Sequence, residues 1–417
     1  DNVMEQAPGY KILKEKIDDI IIPTPMGVIR SLQIISESNN ENVMSVDIGG
    51  ATTDIFSNIL GKYYRTVSAN YGMSYSISNV MKDCEFEQLQ ALIPKEITEN
   101  DARNYISNKM LCPTYNPTET HQIAIEHAIA QKAIEMSKIQ HLKMNFNTRE
   151  LGFLDKMKQK ERGLEKIREA FYTGQAKDSK KFSMDEINIM IGAGGVLAHT
   201  QNPRQALAII YQGLSPQGIT EIWRDQHFIS PHLGKLSAIN ESLSTKLLNN
   251  ECYQKLALTI RPMGSKWKPG TIVMKVEFEG KSQNLEVGEM RYFSNENHRK
   301  HNYKITLKKD FYLQDKNNFF EFSSSLPVFI DCTSETNFDQ INQTLNLFDL
   351  ETPQLAIEDS FSSFIQDHQI ITGQQNMRVK LPYQGDVLVK VGDEVNPQTI
   401  IGENKYAPPR IYVISLF

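Results

Sequence analysis

The sequence is poor in cysteine and tryptophan, has no surplus of positive charge and contains no long apolar run. Cys84, Cys112, Cys252 and Cys332 stand singly along 417 residues, without a CxxC pair. That spacing argues against a zinc site and a disulfide framework, and it fits a reducing, cytoplasmic compartment. Lys and Arg number 45 against 50 Asp and Glu, a net charge of -5. The charges are so evenly spread that no basic stripe is available to neutralise the phosphates of a nucleic acid. No stretch approaches the roughly 20 apolar residues that span a bilayer, and the opening residues DNVMEQAPGY lack the charged-then-apolar order of an export signal. The deficits together predict a soluble, unexported chain whose partners are neither nucleic acid nor membrane.

What is present is a globular composition. With 40% hydrophobic residues the chain can furnish cores for about three domains of ordinary size. Residues 11–19 read as a short helix, 20–23 as a buried strand ended by a Pro23-Thr24-Pro25 turn, and 26–37 as a helix. Three strand-like runs follow, NVMSVDI, TTDIFSN and KYYRTVSA, joined by Gly49-Gly50 and Leu60-Gly61, which predicts an antiparallel meander. From about 73 to 145 the pattern is helical, clearest in IAIEHAIAQKAIEMSKIQ, where small alanines imply close helix packing. The run at 155–181 carries both signs of charge and reads as a solvated helix and polar loop.

INIMIGAGGVLAHT at 187–200 is a strand entering a glycine turn, and NPRQALAIIYQGL at 202–214 a helix capped by Asn202 with Pro203 at its first position. Beyond about 255 the texture turns β-rich, with TIVMKVEFEG, NLEVGEMRYF, YKITLKKDFYL and LPVFID as strands. Residues 334–378 read as a polar connector with a helix or two. Residues 379–417 read as a small β-hammerhead punctuated by Gly385, Gly392 and Gly402. No repeat of solenoid period is present.

Chemistry concentrates at Val46-Asp47-Ile48-Gly49-Gly50-Ala51-Thr52-Thr53-Asp54. Glycines let backbone approach a phosphate and aim N–H groups at it, and Thr52 and Thr53 add donors. Asp47 can hold a hydrated magnesium ion or orient the water that attacks a terminal phosphate, and Asp54 can fix the turn. The alternative reading is a tight hairpin whose Asp and Thr merely satisfy the turn. Gly192, Gly194 and Gly195 follow an apolar strand, so backbone there could lie against an adenine ring or its ribose; the alternative is a strand-to-helix turn with close packing.

These two motifs resemble the phosphate and adenosine motifs of the actin/Hsp70/sugar-kinase superfamily. With IIPTPMGVIRS, RGLEKIREAF, FSMDEINIMIGAGGVLAH and QGITEIWRDQHFISPHLGKLS they more narrowly resemble the MutL-type proteins associated with glutamate mutase. The resemblance covers most of residues 20–275 and, more loosely, LPYQGDVLVKVGDEV near the end. It implies an α/β, actin-like ATPase lobe of ribonuclease-H-like architecture with a helical insertion over 1–254, a β-rich domain over 255–333, a connector over 334–378 and the hammerhead over 379–417. It also implies an ATP-dependent reactivating chaperone of an adenosylcobalamin-dependent mutase or aminomutase, which exchanges damaged cobalamin. ATP or ADP and Mg2+ would be the cofactors. Asp47, Gly49, Gly50, Thr52 and Thr53 would meet the phosphates and magnesium, and Gly192, Gly194 and Gly195 would border the adenosine.

The family's Asp-x-Gly-Ser-Thr phosphate loop, which belongs to an additional N-terminal lobe, has no counterpart in this sequence. The expected ATPase therefore needs that lobe, whether it belongs to a longer chain, a separate polypeptide or an oligomer, or else hydrolysis is lost. Two other readings stand beside the chaperone: a non-catalytic, nucleotide-dependent interaction module of a cobalamin enzyme, and a small-molecule kinase of the same superfamily. His232, before a glycine, reads as part of a capped turn rather than a metal or cobalamin ligand. His121 and His127 fall on different helix faces, so with Glu126 they read as ordinary helix residues. The hammerhead lacks the modified lysine of a biotinyl or lipoyl domain, which leaves a docking module or a stabilising cap.

Overall fold

The computed structural model describes residues 22–117, 119–143, 183–200, 202–295, 297–314, 317–335, 338–348, 385–388 and 402–404. The helix expected at 11–19, the charged run at 155–181 and most of the hammerhead lie outside these residues.

Helix α1 (Thr24–Asn39) starts two residues earlier than expected. Pro23 stands at its N-cap and Pro25 in its first turn, where a proline loses no hydrogen bond because the N–H would be unpaired anyway. The chain leaves α1 through Asn40 in the left-handed region, φ 55°. Strands β1 (Val43–Ile48), β2 (Thr53–Ile59) and β3 (Lys62–Ser68) then form the expected meander. Its second turn is Leu60-Gly61, both at positive φ, the geometry that matches strand twist in a two-residue hairpin.

Helices α2 (Ile77–Asp83), α3 (Phe86–Gln90), α4 (Glu99–Leu111) and α5 (Thr120–Lys143) follow. Residues Ile123 to Ala130 of α5 are buried without a break, so this helix is enclosed on every side there. Strand β4 (Ile189–Ala193) leads into the short α6 (Gly195–Ala198) and then α7 (Pro203–Leu214). The Asn202 side chain accepts the Arg204 N–H at 2.8 Å and Gln205 returns the bond to the Asn202 N–H, a capping box at the expected place. Next come β5 (Gly218–Asp225), α8 (Ser230–Leu236), α9 (Glu241–Leu247) and β6 (Tyr253–Arg261).

The β-rich part contributes β7 (Met263–Gly264), β8 (Ile272–Phe278), β9 (Lys281–Glu286), β10 (Met290–Phe293), β11 (His301–Leu307), β12 (Phe311–Tyr312), β13 (Phe319–Ser324) and β14 (Val328–Asp331). Helix α10 (Phe338–Leu345) follows, and β15 (Gly385–Val387) pairs with β16 (Gly402–Asn404). NLEVGEMRYF, expected as one strand, is two: Gly288 at φ 96° turns the chain, and the halves join different sheets.

The principal sheet runs β10-β14-β6-β5-β4-β1-β2-β3. Within it β1, β4 and β5 are parallel, β2 is antiparallel to β1, and β3 is antiparallel to β2 and so runs in the direction of β1. One face carries Val46, Ile48 and Ile55 against α5 and α7; the other carries Val43, Phe56, Ile191 and Trp223 against α1 and α8. The fold is therefore mixed α/β, with a large mixed sheet between helical layers and a β-rich C-terminal region. The sheet runs across residue 255, since β6 pairs with β5 and β14 with β6. The separate sheet β13-β11-β8-β9 shares a core with Ile260, Val328 and Ile330 at that end.

Candidate functional site

Parallel strands deliver their carboxyl ends to one edge of a sheet, where connections diverge and a ligand can enter. Here β1 ends at Asp47-Ile48, β4 at Ala193 and β5 at Asp225. Asp47 is the register partner of Asp54 on β2 and of Ala193 on β4. Asp225 follows Arg224, the partner of Gly192, and so stands level with Ala193. Asp54, Asp47, Ala193 and Asp225 thus form a row across four strands on the α1 face, with a methyl group in the gap between two carboxylates.

Each carboxylate has a different fate. Asp225 is wholly buried and accepts the N–H groups of His227, Ile229 and Ser230 at 2.8 to 3.2 Å, which fixes the entry to α8. Asp54 accepts from Arg65 of β3 at 2.7 Å, and the guanidinium lies over the Phe56 ring at 5.6 Å. The other Asp54 oxygen, Oδ1, is buried without a partner, as is the Arg65 Nε. Asp47 makes no hydrogen bond or ion pair among the described residues. Burial, reinforced by the negative charge of Asp54 and Asp225 and opposed by Arg65, pushes its carboxyl up to about 6.

The turn after β1 has an equally lopsided accounting. Its carbonyls are all occupied. That of Gly49 accepts the Met73 N–H at 2.9 Å, that of Gly50 the Ser74 and Tyr75 N–H groups at 2.9 Å, and that of Thr52 the Gly49 N–H at 2.9 Å. The Ala51 carbonyl accepts the Ser76 hydroxyl. The N–H groups of Gly50, Ala51 and Thr52 have no partner among the described residues, and neither does the half-buried Thr52 hydroxyl. Successive unpaired amides of this kind form an anion-binding concavity.

Thr53, expected beside the phosphates, is buried and donates its hydroxyl inward to the Tyr71 carbonyl at 2.9 Å. The segment Tyr71–Ser76 that braces the turn carries no motif, and its only sequence signal was Gly72. A Cβ there would come within 2.5 to 2.7 Å of Ala51 and Gly50 backbone.

The second glycine turn meets the first. A Cβ on Gly194, φ 119°, would lie 2.2 Å from the Ile48 carbonyl oxygen, so the turn after β4 rests on the last residue of β1. Gly195 is exposed, with His199 its nearest neighbour at 4.0 Å from a Cβ position. Gly192, expected on the adenosine side, faces α7: a Cβ would meet Ile210 at 2.5 Å and Leu197 at 2.7 Å. It is a packing glycine. Asp47, Gly49, Gly50, Thr52, Asp54, Gly194 and Gly195 therefore come together at one corner, while Thr53 and Gly192 serve the core.

His232, expected in a capped turn, lies instead in a helix, and His121, Glu126 and His127 stand on α5. His232 is exposed on α8. Glu126 is buried against Lys109 at 2.8 Å and Tyr105 at 2.9 Å, and His127 is buried, its imidazole held down to about 4 and hence neutral. Among the described residues no group of three or more His, Cys, Asp or Glu could hold a metal ion. Asp47 and Asp54, with one unengaged carboxylate and one orphaned oxygen, offer the hard oxygen donors that fit a largely hydrated magnesium ion. Two surface clefts of about 400 and 560 Å³ lie around Arg291 and Lys304, away from this corner. No described helix is long and apolar enough to cross a membrane.

The MutL protein family model matches residues 1–252. A curated relative, Protein MutL of Clostridium tetanomorphum, is 24% identical over 231 residues, which cover 48% of this chain and 43% of that protein. The chain thus spans less than half the length of the relative it matches. With the family model covering more than half of its residues, the chain belongs to the MutL protein family.

Proposed function

We propose that the corner at the end of β1 grips the phosphoryl end of ATP or ADP, and that the chain is the nucleotide-binding lobe of a reactivating factor for an adenosylcobalamin-dependent mutase or aminomutase. The observation that carries the reading is the turn whose carbonyls are all tied back while three consecutive amides and the Thr52 hydroxyl stay unpaired among the described residues, beside Asp47. A polyanion satisfies those donors. The order β3-β2-β1-β4-β5, with β1, β4 and β5 parallel, supports an actin/Hsp70-like lobe of ribonuclease-H type.

In this reading the Gly50, Ala51 and Thr52 amides donate to phosphoryl oxygens, and the backbone at Gly194 and Gly195 borders the nucleoside. Asp47 and Asp54 would hold magnesium, which would supply positive charge to offset the negative charge of the phosphates. Asp47 also orients the water that attacks the terminal phosphate once a second lobe closes the cleft, and the nucleotide state then biases the grip on the partner enzyme. Damaged cobalamin leaves that enzyme when the grip changes. A second reading is nucleotide-dependent binding without hydrolysis, favoured by the lack of any counterpart to the family's Asp-x-Gly-Ser-Thr phosphate loop in this sequence.

Calorimetric titration of the chain with ADP and magnesium tests the reading. Binding that Asp47→Asn weakens at least tenfold is expected, on the order of the 1.4 kcal/mol that one charge-assisted contact supplies. No heat, or equal affinity in both proteins, would contradict it. Exchange of damaged cobalamin in a mutase, measured with ATP and with a non-hydrolysable analogue, separates the two readings: turnover only with ATP supports the motor, and equal exchange supports the binding module.

A further inference from the structure

Ser76 immediately precedes α2, at the N-cap, where a serine ordinarily accepts an N–H of the first helical turn. Its side chain makes no such cap bond. Instead the hydroxyl reaches back 25 residues in sequence and donates to the Ala51 carbonyl. A residue in a capping position has been diverted to the turn after β1, at some cost to its own helix.

The planarity of the peptide bond says what that diversion accomplishes. In a trans peptide the carbonyl of one residue and the N–H of the next point in opposite directions from one rigid plane. Holding the Gly49 carbonyl therefore aims the Gly50 N–H, holding the Gly50 carbonyl aims the Ala51 N–H, and holding the Ala51 carbonyl aims the Thr52 N–H. The first is held by the Met73 amide, and the second by the Ser74 and Tyr75 amides with the Ser74 hydroxyl in support at 3.2 Å. The third is held, among the described residues, by the Ser76 hydroxyl alone. Gly72 allows the approach, because a side chain there would collide with Gly50 and Ala51 backbone.

We propose that Ser76 is a positioning residue of the anion site, which orients the Ala51–Thr52 peptide so that the Thr52 N–H faces the phosphoryl group. The inference rests on the nucleotide reading above and adds a residue that touches no ligand. Loss of the hydroxyl frees one peptide plane to rotate and leaves the Ala51 carbonyl competing for the space of the anion. The effect falls on recognition of phosphate and spares recognition of the nucleoside.

The test is calorimetric titration of the full chain with ADP plus magnesium and, separately, with adenosine, for wild type, Ser76→Ala, Ser76→Thr and Ser74→Ala. Ser76→Ala is expected to weaken ADP about tenfold, the scale of one lost hydrogen bond, with adenosine unchanged. Ser76→Thr, which keeps the hydroxyl, is expected to restore ADP affinity. Ser74→Ala is expected to lose less, since two amides still hold the Gly50 carbonyl. Equal ADP affinity in wild type and Ser76→Ala overturns the inference and leaves the nucleotide reading intact. Parallel losses of ADP and adenosine, or an equal loss in Ser74→Ala, show general damage and also overturn it. Absence of ADP binding to the wild-type chain removes the nucleotide reading and the inference together.

Discussion

At the scale of residues, the burial of Asp47 costs stability, and the magnesium-binding role proposed for it requires a carboxylate left unengaged by the protein. It is largely buried, has no hydrogen-bond or ion-pair partner among the described residues, and shares its row with Asp54 and Asp225. Its raised folded value means that the unfolded chain ionises it more readily, so this carboxylate reduces stability as pH rises through about 4 to 6. Asp47→Asn is therefore expected to raise the stability of the ligand-free chain at pH 7 by about 1–2 kcal/mol, after allowance for solvent screening, while it weakens nucleotide binding. Chemical denaturation of both proteins without magnesium checks this, and an unchanged or lower midpoint in the variant contradicts it. The acidic-glycine-threonine turn was legible because its chemistry sits in adjacent residues. Arg65, Gly72 and Ser76 were not, because β3 has to fold back before they reach Asp54 and Ala51. Gly192 shows the limit of a glycine motif: close packing against Ile210 and close approach to a ligand need the same residue.

At the scale of elements, two contacts invite tests. Helices α1 and α8 touch through glycines: a Cβ on Gly234 would lie 1.9 Å from the Gly27 carbonyl oxygen and one on Gly27 2.2 Å from that of Pro231. The Ser31 hydroxyl donates to the Ser230 carbonyl in the same seam. Gly234→Ala is expected to cost about 2–3 kcal/mol, the scale of overpacking in a tight core, and a melting temperature within experimental error of wild type would contradict this. Helix α5 buries His127 and His141, each held neutral by burial at about 4, with His141 between the Ser57 and Thr66 hydroxyls at 2.9 and 2.6 Å. The unfolded chain takes up these protons near pH 6.5, so stability is present above that value and is lost as pH falls towards 4. His127→Leu is expected to flatten this acid slope, measured as denaturation midpoint against pH; an unchanged slope would contradict the assignment. Helix α7 was legible from Asn202 and Pro203, because capping is local chemistry. The division of NLEVGEMRYF was not, because alternation marks a strand without naming its sheet.

At the scale of the whole molecule, the principal sheet joins the MutL-matching part to the β-rich part. Strand β6 pairs with β5, β14 pairs with β6, and Tyr211 of α7 donates to Asp331 of β14 at 2.6 Å, both groups buried. The change of texture near 255 marks where helices stop alternating with strands; the sheet itself continues. Truncation after residue 254 is expected to expose the β5 edge and yield an aggregating chain, whereas truncation after residue 348 keeps the sheet whole. Soluble yield and circular dichroism of the two truncations check this, and a stable monomer ending at 254 would contradict it. The corner after β1 lies at the opposite end of the same strands from the β2–β3 turn, on a framework that spans both parts. The most direct test of the central claim follows the backbone amide resonances of Gly50, Ala51 and Thr52 during titration with ADP and magnesium. The account expects those three to shift together and saturate with the calorimetric affinity; saturation with all three unmoved would contradict it.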